Sequence, residues 1–246
     1  MKLSSVIIGL VLTMLFLTHT WTFAHAKIAE SHSQNASAYM KIGNYNQAIS
    51  EYTLAIEIDP KNINNYFNRG ISFTKISKFE QAISDFSKVL EITPKDANAY
   101  YYRGITYTMT GQNDQAISDL NDAIKIDPKL VKAYKSRAAI YVKNEEIDKV
   151  LKDYEVVLKI NPNDAETYDL RAKIYAKNEQ YDKAASDYGK ILKFAPKRAD
   201  IYYNRGKIYF LNPANISKGC DDLKSACELG VACEDYELNL STGVCH

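Results

Sequence analysis

The sequence predicts an all-α chain, a solenoid of stacked antiparallel helix pairs. Three observations carry this. Prolines recur every 34 residues, at Pro60, Pro94, Pro128, Pro162 and Pro196. Each interval holds two blocks of apolar residues at helical spacing, and the intervals align without gaps. A fixed period of this length marks one supersecondary unit copied along the chain. Such a unit cannot bury its apolar face alone, so the copies must stack.

Alignment on the prolines gives units 29–62, 63–96, 97–130, 131–164, 165–198 and a degenerate 199–232. Position 4 of the unit is Tyr66, Tyr100, Tyr134, Tyr168 and Tyr202; position 8 is Gly70, Gly104, Ala138, Ala172 and Gly206. Position 11 is Tyr39, Phe73, Tyr107, Tyr141, Tyr175 and Tyr209. With 3.6 residues per turn these three positions share one stripe of a first helix. A second helix is predicted by positions 20 (Ala48, Ala82, Ala116, Val150, Ala184), 24 (Tyr52, Phe86, Leu120, Tyr154, Tyr188) and 27 (Ala55, Val89, Ala123, Val157, Ile191). Small residues at 8 and 20 let the two helices approach, and the aromatics fill the space around them.

Turn formers separate the helices: Gly43, Gly111, Asn144 and Asn178, residue types that tolerate left-handed backbone. The proline at 32 ends the second helix, because the residue before a proline is pushed out of the α region. Asp59, Thr93, Asp127 and Asn161 precede it, and the next helix starts within a few residues.

This pattern resembles the tetratricopeptide repeat family over residues 29–198, in unit length, small residues at 8 and 20, aromatic at 11 and proline at 32. The resemblance implies a right-handed superhelix whose concave groove is lined by positions 2, 5, 6, 9, 12 and 13 of the first helices. Those positions supply Asn64, Phe67, Asn68, Asn98, Tyr101, Tyr102, Thr108 and Met109, then Lys132, Lys135, Lys143, Lys173 and Lys177 with Glu166 and Asp169, then Tyr203, Asn204, Lys207 and Phe210. The groove so implied is aromatic and amide-rich first and lysine-rich later. Aromatics give rigid contact area, amides bond a peptide backbone, and lysines favour acidic groups. The family's carboxylate clamp pairs Lys at 5 with Asn at 9. Lys135 is followed by Ala139, so that clamp is absent.

Two departures from the family stand out: Tyr replaces the usual Trp at 4, and Arg replaces the usual Leu at 7. The arginines, Arg69, Arg103, Arg137, Arg171 and Arg205, recur with acids at 23: Glu51, Asp85, Asp119, Asp153 and Asp187. Recurrence at one period predicts Arg–carboxylate pairs between adjacent helices, Asp119 with Arg137 among them, because the planar guanidinium meets a carboxylate bidentately. The alternative is that the arginines line a ligand groove.

Residues 4–18 are nearly all apolar after Lys2, and Ala24-His25-Ala26 follows in a small-x-small pattern. Residues 1–26 therefore read as a secretory signal peptide, with a retained anchor as the alternative; the apolar core is short for a membrane span. No cysteine follows the run, which disfavours a lipid anchor. Removal of 1–26 leaves 30 basic against 30 acidic residues. A neutral chain lacks the electrostatic footprint of a nucleic-acid binder. The expected location is periplasmic or secreted, without membrane insertion after cleavage.

The four cysteines, Cys220, Cys227, Cys233 and Cys245, all lie in the last 27 residues. An even cluster in an exported chain reads as disulfides, and the spacing lacks the close pairs of a zinc site. Three connectivities are open. Helices are expected over 216–229 and 231–238 with Gly230 between them, a hairpin that favours Cys227–Cys233 and leaves Cys220 for Cys245. Cys220–Cys227 is the least favoured, since seven helical residues rise about 10 Å. The segment 220–233 also resembles cysteine-bearing Sel-like repeats, which implies that residues 220–246 are a disulfide-stabilised cap on the last unit.

No catalytic constellation is visible and no cofactor or metal is implied. After residue 26 the only histidines are His32 and His246, and no P-loop, dinucleotide fingerprint or H-E-x-x-H motif occurs. Asn35, Asn215 and Asn239 begin glycosylation-type triplets, meaningful only in a eukaryotic secretory pathway. The expected function is a non-enzymatic scaffold that holds a protein or peptide segment in its groove. The alternative is a self-associating component of a cell-envelope assembly.

Overall fold

The computed structural model describes residues 25–231 and 233–245. The predicted signal peptide lies outside these residues except for its last two. The chain divides into two compact units, Met1–Ala133 and Tyr134–His246. The described residues are helical, with no strand among them.

The first unit contains α1 (residues 25–41), α2 (Tyr45–Ile58), α3 (Ile63–Lys75), α4 (Phe79–Ile92), α5 (Ala97–Met109) and α6 (Asn113–Ile126). The helix α7 (Val131–Lys143) begins in it and runs into the second unit. The second unit continues with α8 (Ile147–Ile160), α9 (Ala165–Lys177), α10 (Tyr181–Phe194), α11 (Ala199–Phe210), a 3₁₀ turn (Pro213–Asn215), α12 (Ile216–Glu228) and α13 (Cys233–Ser241). From α2 to α6, and from α8 to α13, each helix packs on the next.

The residues at positions 8, 20, 24 and 27 are buried, whereas the aromatics at 4 and 11 are mostly half-buried. Ala82, Phe86, Ala116, Leu120, Ala172 and Ala184 are fully buried. The small residue at position 8 has a steric reason. A Cβ on Gly70 would lie 2.9 Å from the Phe86 ring, and one on Gly104 would lie 3.2 Å from the Ala116 carbonyl oxygen and 3.3 Å from Leu120 Cγ. Each second helix ends two residues before its proline. There the Thr93 N–H donates to the Val89 carbonyl and the Asp127 N–H to the Ala123 carbonyl. Asp96 then caps α5, its Oδ1 accepting from the N–H groups of Asn98 and Ala99 at 2.9 Å each.

Three expectations need correction. The left-handed residues of the turns are Gly43 (φ 76°), Ser77 (60°), Gly111 (77°), Glu145 (59°) and Glu179 (58°). All occupy position 15, so the left-handed residue is the glutamate after Asn144 and Asn178 and not the asparagine itself. Repeat register decides which residue turns, and the asparagine preference is overridden.

The arginine pairs form within each repeat. Asp119 accepts from Arg103, not from Arg137, which pairs with Asp153. Arg69–Asp85, Arg103–Asp119, Arg137–Asp153 and Arg171–Asp187 all span 16 residues, and each is bidentate. The guanidinium also lies over the flanking aromatics, Arg103 at 5.6 Å from the Tyr100 centroid and 6.0 Å from that of Tyr107. The acids are almost wholly buried, so these four pairs are part of the packing between the two helices of each repeat. The first repeat has Asn35 at position 7, and there His32 Nδ1 meets Glu51 Oε2 at 2.7 Å.

The sixth copy is a complete helix pair with one extra residue. Arg205 pairs with Asp222 at a separation of 17, and Gly219 stands where regular repeats place position 20. The 3₁₀ turn at Pro213 takes up the insertion, and Gly206 and Gly219 bring α11 and α12 together; a Cβ on either would lie 3.1 Å from the other's carbonyl oxygen. Beyond it lies α13, from Cys233 to Ser241. The cysteine sulfurs fall in the nested arrangement, Cys220 to Cys245 at 2.00 Å and Cys227 to Cys233 at 2.16 Å.

Candidate functional site

The implied groove positions of the first unit converge on one aromatic cluster. Successive first helices place positions 5 and 6 side by side. The Phe67 and Tyr102 rings meet edge to face at 5.3 Å, and Tyr101 meets Tyr102 at 5.2 Å. Phe86 joins from the second helix, stacked on Tyr102 at 5.9 Å and edge-on to Phe67 at 5.8 Å. Phe86 is fully buried whereas Phe67, Tyr101 and Tyr102 are half-buried, so the cluster is rooted in the core and open at its surface. Sequence reading assigned Phe86 to the core alone. Its role as the floor of the cluster depends on the helix crossing, which no spacing reveals.

Lys132 closes one side of the cluster. Its Nζ lies 4.4 Å from the Tyr101 centroid and 5.0 Å from that of Tyr102, and donates to Asn98 Oδ1 at 2.8 Å. Burial lowers the Lys132 pKa, against the more distant pull of Asp127 and Asp96. A lysine held over two rings and bonded to a neutral amide keeps its charge available to a ligand. Asn64 is exposed at the rim, and Asn68 sits half-buried.

The predicted residues of the second unit have a different character. Lys135 is engaged by Asp164 at 2.8 Å and Glu166 at 2.7 Å. Burial works to lower its pKa, but those two hydrogen bonds prevail and raise it. Lys173 pairs with Asp169 at 2.8 Å. Tyr203 lies under Lys207, 5.2 Å from its centroid, and borders a cleft of about 490 Å³ shared with Gly230, Cys233, Glu234 and Asp235. Asn204 is half-buried nearby on α11. Lys135 and Lys173, counted as groove cations, therefore meet acids of the chain itself. That pairing was missed because Asp164 is an N-cap, its Oδ1 accepting from the Thr167 N–H at 2.9 Å, and capping is the first reading of an Asp at that place.

Among the described residues no cluster of metal-ligating side chains occurs, and no helix is long and apolar enough to cross a membrane.

Helix pairs in fixed register and a surface of rings and amides define an α-helical repeat scaffold. Family descriptions of the TPR repeat match residues 36–77 and 72–111, and those of the tetratricopeptide repeat match 97–130, 154–185 and 170–215. The chain belongs to the tetratricopeptide repeat family, and its fold is the solenoid of that family. Among solved structures it is similar to the MamA protein (24% identity, TM-score 0.63, covering 71% of this chain and 95% of that one). It is also similar to pilF of Pseudomonas aeruginosa (15%, 0.66, 89% and 99%). A third is YrrB, described as a TPR protein with an unusual peptide-binding site (23%, 0.60, 78% and 97%). These identities show the fold alone. No curated protein sequence matches.

Proposed function

We propose that the chain is a non-enzymatic exported scaffold that holds an extended protein or peptide segment on the Phe67–Tyr101–Tyr102 surface. The observation that carries this reading is the half-open aromatic cluster with Lys132 beside it and Asn64, Asn68 and Asn98 around it. Rings anchored in the core offer contact area at little entropic cost. Asparagine side chains pair with the N–H and C=O groups of an extended backbone. The peptide-binding site in YrrB's description agrees with this reading. Export is supported by the apolar run at residues 4–18 and by the paired cysteines, with the α12–α13 hairpin as the cap.

The second reading, self-association in an envelope assembly, is favoured by the exposed Leu238, Leu240 and Val244 at the C-terminal end. One experiment separates the two. A photo-reactive side chain is placed at Tyr101, at Leu238, or at the exposed Lys152 as control, in the full chain expressed with its leader. Crosslinks to a different protein from Tyr101 alone support the scaffold reading. Crosslinks to a second copy from Leu238, with none from Tyr101, support assembly and reject it.

A further inference from the structure

The arginine ladder has a gap at Gly189. In two earlier repeats the third guanidinium nitrogen is also bonded: Arg69 Nη1 donates to Thr53 Oγ1 at 3.1 Å and Arg103 Nη1 to Ser87 Oγ at 2.9 Å. Thr53 and Ser87 occupy position 25, which continues as Asn121, Glu155 and Gly189. At Gly189 there is no side chain to accept. Arg205 commits Nε and Nη2 to Asp222, and its Nη1 lies 3.4 Å from the place a Gly189 Cβ would take. That nitrogen faces a cleft of about 470 Å³, lined also by Ser186, Lys190, Lys193 and Tyr202.

Comparison with the preceding repeat shows what the cleft lacks. Lys193 occupies position 29, as Lys159 does. Lys159 Nζ pairs with Glu155 Oε1 at 3.1 Å, and Glu155 is the position-25 residue of that repeat. The fifth repeat therefore retains the lysine and replaces the carboxylate with a hydrogen atom. Among the described residues no carboxylate lies within ion-pair distance of Lys190 or Lys193. The cleft is a cationic site without the acidic side chain that the preceding repeat places beside its lysine.

We propose that the Gly189 cleft binds a carboxylate group, carried by an acidic side chain of a partner, between Arg205 Nη1 and Lys193. A guanidinium N–H gives a charge-assisted bond to one oxygen. Lys193 and Lys190 supply the charge, since that of Arg205 is already balanced by Asp222, and the Ser186 hydroxyl is a further donor. The site uses positions 22, 25, 26 and 29 of the second helix, none of them a groove position, so it stands independently of the aromatic surface.

The test is a titration of the full chain, followed by NMR at the Gly189 amide and the Arg205 Nε–H, with N-acetylglutamate amide, N-acetylglutamine amide and inorganic phosphate. Saturable shifts with the glutamate probe and none with glutamine are expected. Lys193→Gln should weaken binding up to about fivefold, the worth of one exposed ion pair. Gly189→Glu supplies a carboxylate from within the chain and should abolish binding. Equal shifts with the glutamine probe, binding unchanged in Gly189→Glu, or tighter binding of phosphate would each overturn the assignment. Should Gly189→Glu not fold, the Lys193→Gln arm with the two acetylated probes decides the same question.

Discussion

Asp119 receives both parallel N–H groups of Arg103, Nε to Oδ2 at 2.7 Å and Nη2 to Oδ1 at 2.8 Å, while only 4% exposed. The hydrogen bond to Asp119 raises the Arg103 pKa, against the opposing effect of burial. In the neighbouring repeat burial raises the Asp85 pKa and Arg69 pulls it back. Burial and pairing thus oppose each other, and the pair holds only while both partners are present. Arg103→Ala should cost about 3–5 kcal/mol, because it strands a buried charge. Asp119→Ala should cost a similar amount and the double variant clearly less than the sum. Denaturant unfolding of the four proteins checks this; strict additivity would refute the pairing.

Gly104 touches α6 at a distance that leaves little room for a side chain. Its Cβ would lie 3.2 Å from the Ala116 carbonyl and 3.3 Å from Asp119 Cβ. Gly104→Leu should therefore overpack the contact and destabilise by about 1–3 kcal/mol. An unchanged thermal melt would mean that the helix register is wrong.

Position 15 carries a second local rule. Glu145 holds φ at 59° with a side chain that disfavours that region, whereas Gly111 holds 77° freely. Glu145→Gly should be neutral or stabilising by up to about 1 kcal/mol, and Gly111→Ala should destabilise by a similar amount. The opposite signs are the readout in matched unfolding curves.

Asp164 caps α9 and receives Lys135. Burial alone would raise its pKa, but the hydrogen bonds from Lys135 and the Thr167 N–H lower it below the ordinary 3.8. A depressed acid contributes stability above its unfolded value and loses it as pH falls through the folded value. The wild type should therefore lose this contribution only below about pH 4, and Asp164→Ala should lack it at neutral pH, by about 1–2 kcal/mol. Stability measured from pH 7 to 3 should show the two proteins converging at the acid end.

At the C-terminal end, the Cys220–Cys245 bridge fastens the chain beyond α13 back to α12. Cys220→Ser with Cys245→Ser should lower the protection of α13 amides by about 2–4 kcal/mol in hydrogen exchange, leaving α3–α6 unchanged. Uniform loss along the chain would show that the bridge supports more than α13.

Repeat register was legible because it is local. Ala82, Ala116 and Ala184 recur at one position and are fully buried at one kind of contact. The candidate site was legible only in its parts. Phe67, Tyr101, Tyr102 and Lys132 each fell on an implied groove position, yet Phe86 beneath them read as core and Lys135 read as open though Asp164 and Glu166 engage it. The signal that finds such partners is the repeat alignment itself. Position 25 compared across copies exposes Gly189, and the 17-residue gap between Arg205 and Asp222 exposes the insertion near Pro213.

By itself the sequence determined the all-α class, the helix pairs, their turns to within a residue and the small residues at their contacts. These follow from periodicity and backbone preference, which act over a few residues. Tertiary structure decided the rest: that each arginine meets the aspartate of its own repeat, that Phe86 underlies the aromatic surface, and that Arg205 Nη1 faces an empty position. These outcomes depend on how one helix crosses the next. Side chains far apart in the chain meet there at distances of a few ångströms, and no spacing within one helix encodes that meeting.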